Sequence, residues 1–153
     1  MIIHGTTLAT NAVIERKGAK TCFITTEGFR DVLDIGYESR FDQYDILIEK
    51  TMSLVPRKYR YVIEERTDIN GSIIKPINTK KFQSLVDTIK KEKFESIGIG
   101  FLHSYANSKN ENDLKEFLLK HLPDLEVSIS SDVCPEIREY ERFTTTVVNL
   151  SLI

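Results

Sequence analysis

Tryptophan is absent from the 153 residues, and cysteine and methionine occur twice each. Cys22 and Cys134 have no cysteine or histidine at metal-ligand spacing, so no zinc ribbon or finger is encoded locally. Cys22 sits in an apolar run and reads as a buried thiol, while Cys134 precedes Pro135 in a turn. A disulfide between them is open but disfavoured in a cytoplasmic protein, the compartment this composition fits. No apolar run reaches the ~20 residues needed to span a bilayer. Met1 to Gly5 lacks the basic stretch and long apolar segment of a signal peptide. A net charge of -2 and a pI near 6.0 give no pull towards nucleic acid or anionic membrane. Also missing are a P-loop, G-x-G-x-x-G, G-x-S-x-G and H-E-x-x-H, which removes the sequence-local signatures of nucleotide, hydrolase and zinc-protease sites.

What is present is ordinary globular composition, 41% hydrophobic and 29% charged, with strand and helix patterns in alternation. Thr6 to Arg16 reads as a helix with Leu8, Ala9, Ala12 and Val13 on one face and Gly18 as its stop. Thr21 to Thr25 is a β-branched apolar strand, and Thr26 is placed to cap a short helix facing inward through Phe29, Val32 and Leu33. Gly36 to Arg57 has no clean period and reads as a long excursion. Tyr59 to Arg66 and Ser72 to Lys75 flank Asn70-Gly71, the signal of a β-hairpin. Asn78 to Lys93 carries Phe82, Leu85, Val86 and Ile89 at helical spacing. Ser96 to Leu102 is a continuous apolar run with two glycines, the pattern of a strand buried on both faces. Asn110 to Leu122 is a helix with Leu114, Phe117, Leu118 and Leu122 inward, and Leu125 to Ser130 alternates as a strand. From Glu136 the chain is predicted helical, with Ile137, Tyr140, Thr144, Val147 and Val148 in register. The order implies an α/β fold: a mainly parallel or mixed sheet, helices on both faces, and the hairpin either joining the sheet or lying beside it as a flap.

We take residues 1–153 as a single α/β domain piece of a longer chain. Ile2-Ile3 reads as the end of a strand whose beginning lies upstream, and Val147 to Ile153 as an apolar helix without a stop signal.

Three segments could carry chemistry. His4-Gly5-Thr6-Thr7, with Asn11 one turn on, joins a strand end, a glycine and a helix start, where free N–H groups and the helix dipole favour an anion; the alternative is that a threonine merely caps the helix and His4 packs on the sheet. His103-Ser104-Tyr105-Ala106-Asn107 follows the most buried strand, and ligands of open α/β sheets bind beyond the carboxyl ends of strands; the alternative is a capped loop with His103 bonded to backbone. The run Glu136 to Arg142, followed by Thr144-Thr145-Thr146, reads from its residues alone as a solvated ion-pair face, with Arg138 and Arg142 together. No metal-ligand set and no catalytic base emerges.

The stretches HGTTLATNAVIERKGAKTCFITTEGFRDVLDIG (His4 to Gly36), LVPRKYRYVIEERTDINGSIIKPIN (Leu54 to Asn78), GFLHSYANSKNE (Gly100 to Glu111) and SSDVCPEIREYERFTTTVVN (Ser130 to Asn149) resemble, in this order, the N-terminal region of hydantoinase A and 5-oxoprolinase. The related acetone carboxylase subunit is similar. The resemblance implies part of an actin- or sugar-kinase-like, ribonuclease H-like nucleotide-binding fold. It implies a parent that uses ATP and Mg or another divalent cation to open a cyclic amide such as 5-oxoproline or a hydantoin, or to phosphorylate an enolate or carbonyl oxygen before carboxylation. The family's glycine-rich phosphate loops would lie before His4 and after Ile153, so the resemblance implies a piece that is inactive alone and binds no nucleotide tightly. The implied partners are the rest of the same polypeptide and a hydantoinase B-like second subunit, with neither nucleic acid nor membrane. It moves His4, Gly5, Thr6, Thr7, Asn11, His103, Ser104, Tyr105, Glu139, Arg142 and Thr145 towards a substrate or phosphate cleft. The competing readings are a non-catalytic module of the same fold within a multi-subunit complex, and a small-molecule sensor that binds a ring amide without ATP.

Overall fold

A computed structural model describes residues 8–16, 18–37, 44–47 and 52–152. Four parallel strands form one sheet in the order β2-β1-β5-β6: β1 is Thr21–Thr26, β2 Arg60–Ile63, β5 Ser96–Gly100 and β6 Glu126–Ile129. The central pair, β1 and β5, is in register from Thr21 against Ser96 to Thr25 against Gly100. Every residue of both strands is buried, as the unbroken apolar runs require of a sheet covered on two sides. A separate antiparallel hairpin, β3 (Arg66–Thr67) and β4 (Ile73–Lys75), lies beside the sheet.

One face of the sheet is covered by α3 (Gln83–Glu92) and α4 (Lys109–His121). Their Val86, Ile89, Leu114 and Leu118 meet Cys22, Ile24, Ile97, Ile99 and Ile129 in the larger core. Burial in that core pushes the Cys22 thiol up to about 12, so it packs as a small apolar group. Both cysteines are free thiols. The other face is covered by the short α2 (Val32–Ile35) and by α6 (Glu139–Ser151). There Phe23 and Phe143 pack at 5.2 Å between ring centroids. Gly98 and Gly100 make room for them: a Cβ on Gly100 would stand 2.5 Å from Phe143 and 2.6 Å from Phe23. Helix α1 (Leu8–Glu15) lies against α6. Among the described residues no helix is long and apolar enough to cross a membrane.

Several expected boundaries are corrected. Tyr59 to Arg66 is not one hairpin strand: Arg60–Ile63 pairs with β1, and the chain turns at Glu64-Glu65 before Arg66–Thr67 begins the hairpin. The turn follows the Glu65 side chain, which goes inward. The predicted helix from Asn78 starts at Gln83, because Asn78 instead caps a single 3-10 turn at Thr79–Lys81 through its side chain. Ser96 to Leu102 ends as a strand at Gly100, where side chains take over the backbone N–H groups. Thr26 caps no helix; its hydroxyl is engaged in the interior. The last helix starts at Glu139, after a four-residue α5 (Ser130–Val133). Its inward face is Phe143, Thr146, Val147 and Leu150, whereas Ile137 is exposed. Arg60 is another buried charge that the pattern hid. Its guanidinium forks onto Asp34 of α2 at 2.6 and 2.7 Å and reaches the Val55 carbonyl, tying the segment before β2 to the sheet.

Candidate functional site

The carboxyl ends of β1, β5 and β6 converge on one buried polar cluster, built from residues that enter from both faces of the sheet. Glu111 stands in the first turn of α4, where the helix dipole favours a carboxylate. It is fully buried. Its Oε1 accepts from the Phe101 N–H at 2.8 Å and the Ser130 hydroxyl at 2.6 Å. Its Oε2 accepts from the Ser131 N–H at 3.0 Å and the Ser131 hydroxyl at 2.7 Å. Four donors satisfy both oxygens, which is what allows a carboxylate to be withdrawn from water.

Arg142 answers it from α6 and is equally buried. Nε donates to Ser130 Oγ at 3.1 Å, Nη1 to the Glu136 carbonyl at 2.6 Å, and Nη2 to the Phe101 carbonyl at 2.9 Å and Glu139 Oε1 at 3.3 Å. The guanidinium carbon lies 5.5 Å from the centre of the Tyr105 ring. Glu111 and Arg142 thus hold the two polar groups of Phe101, its N–H and its C=O, and share Ser130 between them.

A second buried carboxyl, Glu65, accepts from the Thr26 hydroxyl and from Asn110 Nδ2, the latter at 2.7 Å. Thr26 Oγ1 in turn accepts from the Leu102 N–H at 2.9 Å. Burial holds the Glu65 carboxyl above its usual range, against the lowering effect of its hydrogen bonds to Thr26 and Asn110. The Oδ1 of Asn110 is buried without a partner.

These bonds build the loop that follows β5. Phe101, Leu102 and His103 are three consecutive residues whose N–H groups go to Glu111, Thr26 and Glu139, from α4, β1 and α6 respectively. His103 then takes a left-handed conformation, φ +56°, which is rare for a residue with a Cβ and needs surroundings that impose it. The hairpin supplies the remaining support: His103 Nδ1 lies 3.0 Å from the Thr67 carbonyl, and Asn107 Nδ2 donates to the Gly71 carbonyl at 2.8 Å. Gly71 is required here. It has φ +83°, and a Cβ would come within 3.0 Å of the Ala106 carbonyl oxygen.

Of the residues singled out from the sequence, His103, Ser104, Tyr105, Glu139 and Arg142 are brought together in this cluster, with Ser104 Oγ 3.1 Å from Ser130 Oγ. Thr145 is exposed on α6 and Asn11 is exposed on α1. His4, Gly5, Thr6 and Thr7 lie outside the described residues. The solvated ion-pair face holds for Arg138, which is exposed and loosely paired with Glu141 at 3.8 Å, but fails for Arg142. Arg138 precedes the helix instead of sharing a face with Arg142, which lies on the buried side of α6.

Glu65, Thr26, Asn110, Glu111, Ser130 and Ser131 were not picked out from the sequence. A signal existed for two of them. Asn110 and Glu111 fall on the line of Leu114, Phe117 and Leu118, so an amide and a carboxylate sit on the apolar face of α4. A groove of about 650 Å³ runs along β2 and α3, lined by Arg30, Val62, Phe82, Leu85 and Thr88 among others. It contains none of the clustered residues. The strand ends, where three elements deliver titratable groups, are the stronger candidate.

The family model described as the hydantoinase/oxoprolinase N-terminal region matches residues 1–122. An uncharacterized protein of Methanocaldococcus jannaschii is 41% identical over 99% of this chain, which corresponds to 23% of that protein. The caprolactamase alpha subunit of Pseudomonas jessenii is 34% identical over 99% of this chain and 22% of its own length. The crystal structure of that ATP-dependent caprolactamase superposes with a TM-score of 0.89 over 98% of this chain and 22% of the caprolactamase chain. A nucleotide-free acetone carboxylase structure gives 0.84 at 26% identity, over 95% of this chain and 22% of its own. The chain therefore spans less than a quarter of the length of these relatives.

Proposed function

Because this chain belongs to the hydantoinase/oxoprolinase family, we propose that its parent polypeptide opens a cyclic amide at the expense of ATP, and that this stretch forms part of the wall around the amide. The likeness to ATP-dependent caprolactamase along almost the whole chain carries the reading. The buried cluster agrees with it in kind: ring opening needs polar groups held rigidly beside an apolar ring, and His103, Ser104, Tyr105 and Glu139 stand on or against a loop whose first three N–H groups are all fixed.

The loop after β5 does not offer a phosphate cradle. A phosphate cradle needs free, convergent backbone N–H groups. After β5 the three consecutive N–H groups are filled by the protein's own oxygens. Among the described residues no three acidic, histidine or cysteine side chains are grouped to hold a metal ion. ATP and its Mg would be held elsewhere in the parent, at the segment His4 to Thr7 or beyond this stretch. A second subunit of hydantoinase B type would complete the enzyme; the name of the caprolactamase alpha subunit implies a further subunit, of unstated type, in that protein.

The test is to produce the full-length parent with its partner subunit and supply ATP, Mg and, in turn, caprolactam, 5-oxoproline and a hydantoin. The expected result is ADP release that depends on one of the cyclic amides, with the ring-opened acid formed in step. ADP release that ignores all three would sink the reading and favour a non-catalytic module. A second reading, ATP-dependent carboxylation, is favoured by the likeness to acetone carboxylase. It predicts turnover that requires bicarbonate and a ketone.

A further inference from the structure

We infer that His103 is the proton-accepting group that deprotonates the water attacking the cyclic amide, a role that rests on the ring-opening reading above. The argument begins with a carbonyl. Thr67 O, 3.0 Å from His103 Nδ1, can only accept a hydrogen bond, so Nδ1 carries the proton. That fixes the neutral ring as the form with its lone pair on Nε2, the atom a general base uses. Among the described residues no side chain or backbone group bonds Nε2, although the backbone N–H, Nδ1 and the ring edge of the same residue all have contacts. The N–H donates to Glu139 at 3.3 Å, and Tyr105 meets the ring edge-on at 6.1 Å between centroids.

The placement is enforced from several sides. His103 keeps its left-handed backbone because Glu111, Thr26, Glu139 and Arg142 hold the peptide groups from Phe101 to His103. A loop that needed only to reverse direction could use glycine at φ +56° without strain. A histidine here is a side chain kept in spite of its backbone. It also lies just beyond the carboxyl end of β5, a central strand of the parallel sheet.

In the reaction, Nε2 takes a proton from water as the water oxygen bonds to the amide carbon. The imidazolium then delivers that proton to the ring nitrogen as the carbon–nitrogen bond breaks. Ring opening consumes one water and forms an acid and an amine on one open chain; the ATP spent by the parent consumes a second water and leaves as ADP and phosphate.

The experiment uses the full-length parent with its partner subunit and the cyclic amide that the wild type opens. His103→Gln should lower kcat for ring opening by about 100-fold or more, the range of general acid–base catalysis, with KM changed little. His103→Ala should be equally slow and should regain activity when free imidazole is added, a recovery that a merely structural histidine would not show. Ring opening within about threefold of wild type in H103Q, or a loss in H103A that imidazole does not restore, overturns the assignment of His103 and leaves the ring-opening reading intact. A wild-type complex that opens no cyclic amide removes the ring-opening reading and this one with it.

Discussion

At the amino end of the sheet, Thr21 and Ser96 stand opposite each other on β1 and β5, share one hydroxyl hydrogen bond of 2.7 Å and bury no charge. At the carboxyl end of the same strands, two carboxyls and a guanidinium are withdrawn from water and wired into the loops after β1, β5 and β6. The same two strands therefore carry a neutral, local solution at one end and a charged, long-range one at the other. A buried charge cluster gives less stability than an apolar core of the same volume. Its presence at only one end marks where the fold trades stability for a defined loop geometry.

That contrast can be broken first at Arg142. R142M removes the cation of the cluster and leaves Glu139 and the Phe101 and Glu136 carbonyls without its donors; a loss of about 3–5 kcal/mol is expected, read as a lower urea midpoint at unchanged slope. A midpoint shifted by no more than a surface substitution would show that the cluster is not a coupled unit. E111Q keeps the shape but turns an NH2 group towards the two Ser131 donors, and should cost about 2 kcal/mol. The Glu65 carboxyl gives a pH test. Its folded pKa lies above the unfolded value, so the folded state holds the proton more tightly. Its contribution to stability is complete below the unfolded carboxyl range and is lost as pH rises through the folded value. In E65Q, whose side chain is neutral at every pH, the decline of stability over that window should flatten, with the Asn110 amide turning its unpartnered oxygen towards the new NH2 group. Unfolding midpoints across the acid range check this, and an unchanged slope would argue against Glu65. The smallest effect is expected at the amino end. T21V or S96A alone should cost about 1 kcal/mol, and the double variant less than their sum, because no orphaned hydroxyl remains.

The same division explains what could be read from the sequence. The glycine-bearing run of β5, the leucine face of α4 and the Asn70-Gly71 turn are local patterns, and each marks an element the structure contains. The charged end is not local. Glu111 reaches Ser130 at a separation of 19 residues, and Glu65 reaches Asn110 at 45. No periodicity within one helix or strand encodes such a partner. The division of Tyr59 to Arg66 escapes the sequence for this reason: what ends β2 is the inward Glu65, whose stabilising partners lie on β1 and α4. Read from its residues alone, Arg142 shares a solvated face with Arg138; in the structure Arg138 precedes a helix that starts at Glu139, and Arg142 lies buried on the inward face with Phe143 and Thr146.

Gly100 sets the distance between α6 and the loop that follows β5. Ordinary carbon contacts begin near ~3.5 Å, and a methyl at this position would lie 2.5 Å from Phe143. The start of α6 would have to lift by about 1 Å to clear it. Arg142 rides on that same turn, 2.9 Å from the Phe101 carbonyl, so a lift of that size carries it out of hydrogen-bonding range. A missing side chain on the sheet is thus the gauge block that sets the height of the arginine above the loop, and the tolerance at position 100 is less than a single methyl group.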